Sequence, residues 1–208
     1  MFDYESQARK DGFSIVIGID EAGRGPLAGP VVASAVVLNT TQFLNKIADS
    51  KVLSASKREA AFHEIFQNGC VGIGIISESA IDSVNILQAT FCAMNAAVRQ
   101  LMGRMAKLRN LNENFQREAC LLVDGNRFQS DLPIAYRTIV SGDSLCLSIA
   151  CASIVAKVTR DRILDIYDKI FPQYGFCRHK GYPTQSHRVA ISKYGLSPIH
   201  RRTFRLLS

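Results

Sequence analysis

Residues 14–30 read SIVIGIDEAGRGPLAGP, an apolar run that ends in two adjacent acids and a segment rich in glycine and proline. A run of valine and isoleucine bounded by such residues predicts a buried strand. Asp20 and Glu21 follow this strand directly and have no obvious packing purpose there. We therefore predict that these two acids carry chemistry.

Further apolar runs at 31–38 and 71–77 predict two more strands, and the three strands together favour an antiparallel meander. A short helix is predicted between the last two strands. Ser56 and Glu59 have the spacing of a capping box at its start, and Gly69 marks its end.

The second half of the chain predicts longer helices and two later strands. A long helix is indicated by apolar residues at alternating spacings of four and three, which are Leu87, Phe91, Met94, Val98, Leu101 and Met105. The remaining predicted elements are a polar loop at 110–118, strands at 120–123 and 137–140, a helix at 144–171 and a last helix at 183–194. Thr184 is a candidate cap for the last helix, and Gly195 marks its end. Because helices separate the later strands, those strands should be parallel, and the fold class is a mixed α/β sheet flanked by helices.

Three of the predicted strands end in carboxylates. Asp124 follows the strand at 120–123, and Asp143 follows the strand at 137–140. Taken singly, these two aspartates favour structural roles, a turn and a helix cap. If the strand ends converge, they join Asp20 and Glu21 as four oxygen donors at one sheet edge, which suits paired Mg²⁺ ions and phosphodiester cleavage.

Composition limits the class of protein. The chain has 208 residues, of which 47% are hydrophobic and 21% charged, which indicates a globular protein of one domain, with or without a small appendage. We expect a cytoplasmic location, because no apolar run approaches the roughly 20 residues of a membrane span and the N-terminus lacks signal-peptide features. The six cysteines have no zinc-site spacing, and we expect them to be reduced and buried.

Positive charge is concentrated near the C-terminus. The first 168 residues contain 17 basic and 18 acidic residues, whereas the last 40 contain eight basic residues and no acidic one. Aromatic residues are interleaved with these charges, which favours a nucleic-acid surface over a solvated tail. We predict that the lobe, including the tail from Arg201 onward, carries much of the binding, and that His200 contacts phosphate.

The segment at 20–30 closely resembles the signature of type 2 ribonuclease H, the ribonuclease HII family. Further blocks match in the family's order, namely DSK at 49–51, VDGN at 123–126, GDS at 142–144, ASIVAKVTRD at 152–161, HKGYPT at 179–184 and HRRTF at 200–204. The resemblance therefore covers nearly the whole chain.

The resemblance implies an RNase H-like fold in which Asp20, Glu21, Asp124 and Asp143 bind two divalent ions, Mg²⁺ or Mn²⁺. The implied enzyme hydrolyses the RNA strand of RNA/DNA hybrids and cuts 5′ of single ribonucleotides embedded in duplex DNA, leaving 5′-phosphate and 3′-hydroxyl ends. We expect a monomer with a catalytic domain at 1–171 and a small basic helical lobe at 172–208 packed on it.

The resemblance also implies how substrate is held. In the family, the backbone of the turn matching Gly23, Arg24 and Gly25 contacts the ribose 2′-hydroxyl, and a tyrosine matching Tyr182 stacks on the sugar at the RNA–DNA junction. Glycines at 23 and 25 would allow close backbone approach. The other expected substrate contacts are Lys51, Asn126 and Lys157.

Two positions depart from the family, which commonly has lysine where this chain has Val52 and Ser141. Both changes remove positive charge near the expected substrate path, which affects affinity and salt dependence more than the reaction.

Two other classes of protein compete with this interpretation. Residues 142–145 read GDSL, the block that names a class of serine esterases, but no histidine in the chain has Asp three residues before it to complete the expected pair. A non-catalytic nucleic-acid-binding protein would explain the basic lobe, but it would not place four carboxylates beside a polyanion.

Overall fold

The computed structural model describes residues 3–109 and 115–205 and has the expected mixed α/β architecture. The strands in this part of the chain are β1 (Ile15–Ala22), β2 (Val31–Leu38), β3 (Gly69–Ile76), β4 (Ala119–Asp124) and β5 (Ala135–Ile139). They form one sheet in the order β3-β2-β1-β4-β5. The β1–β2 and β2–β3 pairs are antiparallel, whereas β1–β4 and β4–β5 are parallel, which confirms the predicted meander and parallel half.

Helices cover both faces of this sheet. Their bounds are α1 (Asp3–Lys10), α2 (Ala55–Asn68), α3 (Glu78–Val84), α4 (Ile86–Arg109), α5 (Phe115–Glu118), α6 (Gly142–Leu145), α7 (Leu147–Ile170), α8 (Phe176–His179) and α9 (Gln185–Tyr194), with a 3₁₀ turn at Pro172–Tyr174. The predicted stripe of α4 is confirmed, since it packs Met94, Val98 and Leu101 into the core of one face. Helices α7 and α2 pack on the other face.

Helix α7 lies unusually close to the central strand. A Cβ atom added at Gly18 of β1 would lie 2.1 Å from the carbonyl carbon of Ser148 on α7, so a side chain at this position would push the helix away. Close packing matters here because α7 carries Ser153 and Lys157 past the end of β1.

Several predicted boundaries were wrong. The N-cap of α2 is Ser54, whose hydroxyl accepts a hydrogen bond from the Lys57 amide, and Ser56 lies inside the helix. The Glu59 carboxylate accepts a hydrogen bond from Arg162 and does not form the predicted capping box. The predicted helix at 144–171 is divided at Cys146, where the backbone is extended, into α6 and α7. Of the predicted loop at 110–118, Phe115–Glu118 form α5, and 110–114 lie outside the described residues.

Helix α1 was not predicted, and it supplies a cap that α7 lacks. Cys146 makes no side-chain cap to α7. Instead, one carboxylate oxygen of Glu5 on α1 accepts hydrogen bonds from the amide and the hydroxyl of Ser148, both at 2.9 Å. A carboxylate at this position satisfies a free amide of the first turn and complements the helix dipole.

The cysteines only partly match expectation. Cys120, Cys146 and Cys151 are buried, but Cys92 and Cys177 are exposed, so the prediction of uniform burial was wrong. None of the six, all of which lie in the described ranges, forms a disulfide. None of the helices in the described ranges is both long and apolar enough to cross a membrane.

The C-terminal segment packs on α7. Its last helix, α9, begins after Thr184, whose hydroxyl accepts from the His187 amide, and ends at Gly195, as predicted. Leu164 of α7 shares an apolar cluster with Tyr174 and Phe176 of this segment and with Ala28 of the β1–β2 connection. The two parts of the chain therefore share a core, and the division at residue 171 stays a prediction.

Candidate active site

The four predicted carboxylates lie together at one edge of the sheet. Asp20 and Glu21 are near the end of β1, and Asp124 ends the parallel neighbour β4, where Ile19 is paired with Val123. Asp143 lies in the first turn of α6, and the preceding Gly142 amide donates to Asp124 Oδ1 at 2.7 Å. Two of the aspartates are almost fully buried, with Asp20 and Asp143 each 5% exposed.

Burial and nearby negative charge oppose ionisation of Asp20, Glu21 and Asp124. Burial, followed by the charges of Glu21 and Asp124, raises the pKa of Asp20 well above its ordinary value of 3.8. Burial also raises the pKa of Glu21 against the opposing charge of Arg24, and it raises the pKa of Asp124 with a further contribution from Asp143. A carboxylate cluster of this kind is costly to keep charged unless a cation offsets the repulsion.

Nearby cations from the chain do not fully provide that offset. Lys51 Nζ lies 3.4 Å from Asp143 Oδ2, but its side chain is 78% exposed. Arg24 Nη1 lies 3.3 Å from Glu21 Oε1, and its side chain is about half exposed. Exposed ion pairs contribute little, typically about 0–1 kcal/mol. The donor chemistry, four carboxylates and few cations, therefore suits hard divalent ions.

The carboxylate oxygens do not converge on a single position where one ion could bind. Among residues 3–109 and 115–205, no three carboxyl, histidine or cysteine side chains are placed to hold a single ion together. Their oxygens are instead engaged locally: Asp20 Oδ1 accepts from the Glu21 amide, and Glu21 and Asp143 contact Arg24 and Lys51. If the side chains rotated toward a bound cation, metal–oxygen bonds would replace these contacts. The residues therefore fit a divalent ion because they are oxygen donors and lie close together.

A cleft of about 300 Å³ opens in front of the carboxylates. Its lining includes most of the predicted site residues, namely Asp20, Glu21, Gly23, Arg24, Gly25, Lys51, Asp124, Lys157 and Tyr182. Lys157 Nζ is held 2.8 Å from Asp161 Oδ1. Asn126 lies beside this cleft, in a smaller groove that it shares with Glu21, Arg24 and Asp124.

The turn at 23–25 faces Tyr182 across the cleft. A Cβ atom added at Gly25 would meet only Tyr182 Cε1, at 3.7 Å, so the glycine leaves the gap open. Gly23 has a different reason to be glycine. Its φ is +101°, and a Cβ atom there would lie 2.1 Å from Nε of Arg160. Internal packing therefore requires glycine at 23 in any case, and because Gly23 also lines the cleft, its expected contact with substrate stays a prediction.

The two positions that depart from the family, Val52 and Ser141, are both exposed to solvent. The side chain of Val52 is 69% exposed, and Ser141 is exposed with a left-handed backbone, φ 57°, immediately before α6. Neither position contributes to the core.

His200 is buried, and the expectation that it contacts phosphate was wrong. Its Nε2 lies 3.0 Å from His187 Nε2, and its Nδ1 accepts from the amide and hydroxyl of Ser197. His187 Nδ1 donates to the Tyr182 carbonyl at 2.9 Å, which leaves its Nε2 to accept from His200. Burial lowers the pKa of both histidines to about 4, so the chain of neutral rings supports the backbone of Tyr182.

Two buried arginines next to the turn at 23–25 were not predicted as such from the sequence. Arg160 and Arg201 are 1% and 0% exposed, so Arg201 is not part of a solvent-facing basic tail. For Arg160 a signal existed, because it follows Ile149, Ser153 and Ala156 at the three- and four-residue spacing of the buried face of α7. For Arg201 the flanking His200 and Arg202 gave no such signal.

The mixed sheet and its acidic cleft define the class of protein as an α/β nuclease of the ribonuclease H type. The ribonuclease H2 of Pyrococcus horikoshii OT3 has the same fold, with a TM-score of 0.68 and 24% identity over 92% of this chain and 94% of that one. Bst-RNase HIII, solved in complex with Mn²⁺, has a TM-score of 0.67 and 15% identity over 96% of this chain and 70% of that one.

Sequence comparison gives the family. The ribonuclease HII family model matches residues 17–207. A ribonuclease HII from Syntrophus aciditrophicus (strain SB) is 47% identical over 209 residues, covering all of this chain and 92% of the relative. The chain belongs to the ribonuclease HII family, and it is a hydrolytic endoribonuclease.

The rival interpretations find no support in the site. Ser144 of the GDSL block hydrogen-bonds Asp143, and no histidine of the described ranges contacts its hydroxyl, so a serine esterase would lack its base. A purely binding role does not account for the buried carboxylates.

The two glycines of the turn make a matched pair for stability measurements. Gly23→Ala should lower the free energy of unfolding by about 2 kcal/mol or more, because it combines a strained φ with a clash against Arg160. Gly25→Ala should change it by less than about 1 kcal/mol, since its backbone is not left-handed and its Cβ contact is ordinary. Urea unfolding of both variants measures the difference, and equal losses would refute the assignment of separate roles.

Proposed function

We propose that Asp20, Glu21, Asp124 and Asp143 form the catalytic centre of this endoribonuclease and bind two divalent cations, Mg²⁺ or Mn²⁺. The observation that carries the proposal is a set of four adjacent carboxylates at the edge of the sheet, of which Asp20 and Asp143 are buried and Glu21 and Asp124 partly buried. The Mn²⁺ complex of Bst-RNase HIII supports the choice of metal type.

A pair of cations bound here would supply the charge that activates an attacking water and stabilises the leaving 3′ oxygen. The chain's own residues hold the reacting groups in place. Glu21 and Asp124 line both the cleft and the groove that contains Asn126, and Asp143 lies next to the cleft, 3.4 Å from Lys51 Nζ. Lys51 and Lys157 add positive charge on the substrate side, where they would contact backbone phosphates.

We propose that selection for ribose comes from the gap between Gly25 and Tyr182. The amides of Arg24 and Gly25 make no hydrogen bond to any described part of the chain, and they are available to the 2′-hydroxyl. Tyr182 is 43% exposed, so its ring is available for stacking on the adjacent sugar, while the His187 bond holds its backbone. Phosphate contacts alone cannot distinguish ribose from deoxyribose.

The proposed substrates are RNA/DNA hybrids, whose RNA strand is cut, and duplex DNA with a single ribonucleotide, cut on its 5′ side to leave 5′-phosphate and 3′-hydroxyl ends.

All the proposed site residues belong to one chain, which supports action as a monomer. We also propose that residues 172–208 act as a substrate-binding lobe on a catalytic domain at 1–171, because Tyr182 and exposed basic residues such as Lys193 and Arg202 belong to that segment.

Asp124→Asn should abolish cleavage without unfolding the protein. The variant removes one negative charge from the cluster, so repulsion with Asp143 falls, and the amide oxygen can still accept from the Gly142 amide. We expect kcat to fall at least about a hundredfold with an unchanged or higher melting temperature. The matched control is Asp131→Asn, an exposed aspartate paired with Arg99, which should leave both values near wild type. Near-normal turnover in folded Asp124→Asn would remove Asp124 from the catalytic centre.

Selectivity for ribose is tested with two duplexes that differ only in a 2′-hydroxyl at one nucleotide. The enzyme should cut 5′ of the ribonucleotide and leave the all-DNA duplex intact. Tyr182→Ala should reduce cleavage at the junction more than it weakens binding, because stacking is worth about 1–3 kcal/mol and also fixes geometry. Tyr182→Phe retains the ring and should stay close to wild type. Equal cutting of both duplexes would contradict the proposed selectivity, and full activity of Tyr182→Ala would exclude its ring from recognition.

A further inference from the structure

Two guanidinium groups are buried behind the turn at 23–25. Arg160 and Arg201 are the two largest fully buried side chains among the described residues. Burying a charged group is costly unless hydrogen bonds satisfy it fully. Burial lowers the pKa of Arg160 to about 10 and that of Arg201 to about 9, which leaves both charged at neutral pH.

Arg201 is satisfied almost entirely by the backbone of one short loop. Its Nη2 donates to Gly23 O at 2.5 Å, and its Nη1 donates to Arg24 O at 3.0 Å and to Pro26 O at 2.8 Å. Its Nε and Nη2 both donate to Gly29 O, at 3.0 and 2.7 Å. Four carbonyls of residues 23–29 therefore converge on a single planar cation.

This convergence determines where the amides of the turn point. In a trans peptide unit, the C=O of one residue and the N–H of the next point in opposite directions. Because Arg201 holds the carbonyls of Gly23 and Arg24, the amides of Arg24 and Gly25 must point away from it. Those two amides form no hydrogen bond within the described chain.

Arg160 holds the other half of the loop against the segment that carries Tyr182. Its Nε donates to Pro30 O and its Nη2 to Ala28 O, while its Nη1 donates to Lys180 O at 2.9 Å. The Leu27 amide also donates to Gly181 O at 2.8 Å. The turn and Tyr182 are thus held at a fixed separation across the cleft.

We propose that Arg201 is a positioning residue that aims the Arg24 and Gly25 amides at the substrate ribose. The proposal rests on the ribose-recognition role proposed for this turn. Lysine keeps the charge but lacks the planar fork, so it cannot hold four carbonyls in the same directions. A merely structural Arg201 would affect folding stability, whereas a positioning Arg201 affects turnover in the folded enzyme.

The test is Arg201→Lys, assayed on duplex DNA with one ribonucleotide at a temperature where circular dichroism shows the variant to be folded. We expect kcat to fall about 10- to 100-fold, the loss typical of reacting groups misplaced by about 1 Å, while affinity for the duplex stays within about twofold. The matched control is Arg137→Lys, because Arg137, which belongs to β5, pairs with Asp11 and lies outside the site. It should keep wild-type turnover.

A double-mutant cycle with Gly25→Ala locates the effect. If Arg201 acts through the turn, the loss in Arg201→Lys combined with Gly25→Ala should be much smaller than the product of the single losses. If the double variant loses as much kcat as the product of the two single losses, the proposal is overturned. It is also overturned if folded Arg201→Lys keeps the wild-type kcat.

Two outcomes need separate treatment. If Arg201→Lys is unfolded in buffer, the assays are repeated for all variants in trimethylamine N-oxide, which favours the folded state. If Arg201→Lys is still unfolded there, the role of Arg201 is stability alone and the proposal is overturned. Failure of the proposed function shows differently, because the wild-type enzyme itself would then cut the ribonucleotide-containing and all-DNA duplexes equally.

Discussion

The parallel pairing of β1 with β4 is the constraint on which the site depends. Ile19 is in register with Val123, so the carboxylates that follow in each strand are forced to be neighbours. A slip of one residue would turn Asp20 to the opposite face of the sheet. Gly18 allows α7 to lie directly over β1, and this contact buries Asp20 and carries Lys157 to the cleft.

The site combines two opposite electrostatic arrangements on either side of one loop. In front, burial and then mutual repulsion raise the pKa values of Asp20 and Asp124, and a divalent cation would offset that repulsion. Behind, the guanidiniums of Arg160 and Arg201 are surrounded by carbonyl oxygens of residues 23–30. Carbonyls of this loop accept hydrogen bonds from the two cations, and the Arg24 and Gly25 amides make no hydrogen bond within the described chain. In the proposed function, backbone groups would therefore carry recognition while side chains carry catalysis.

Much of this could be predicted from the sequence, because the relevant signals are local. The strand at 31–38, the stripe of α4 and the cap at Thr184 depend on near neighbours, and acids placed after apolar strands indicated the carboxylate cluster. The failures concern partners distant in sequence. Arg201 and His200 have the local composition of a basic surface, but Arg201 donates to Gly29 and His200 pairs with Ala28, both of which lie 172 residues earlier in the β1–β2 loop. Likewise, Glu5 caps a helix more than 140 residues away, which no local pattern indicates.

The central claim is that the buried carboxylates form a divalent-cation site, and direct measurement of cation binding tests it without reference to turnover. Isothermal titration calorimetry with Mn²⁺ at neutral pH should show saturable binding to the wild-type protein. This binding should be lost in the double variant Asp20→Asn/Asp124→Asn and kept in the control Asp131→Asn, whose substitution is at an exposed position. Bound cation should also raise the melting temperature of the wild type, because it binds only the folded state. Absence of saturable binding, or equal binding by the wild type and the double variant, would contradict the assignment.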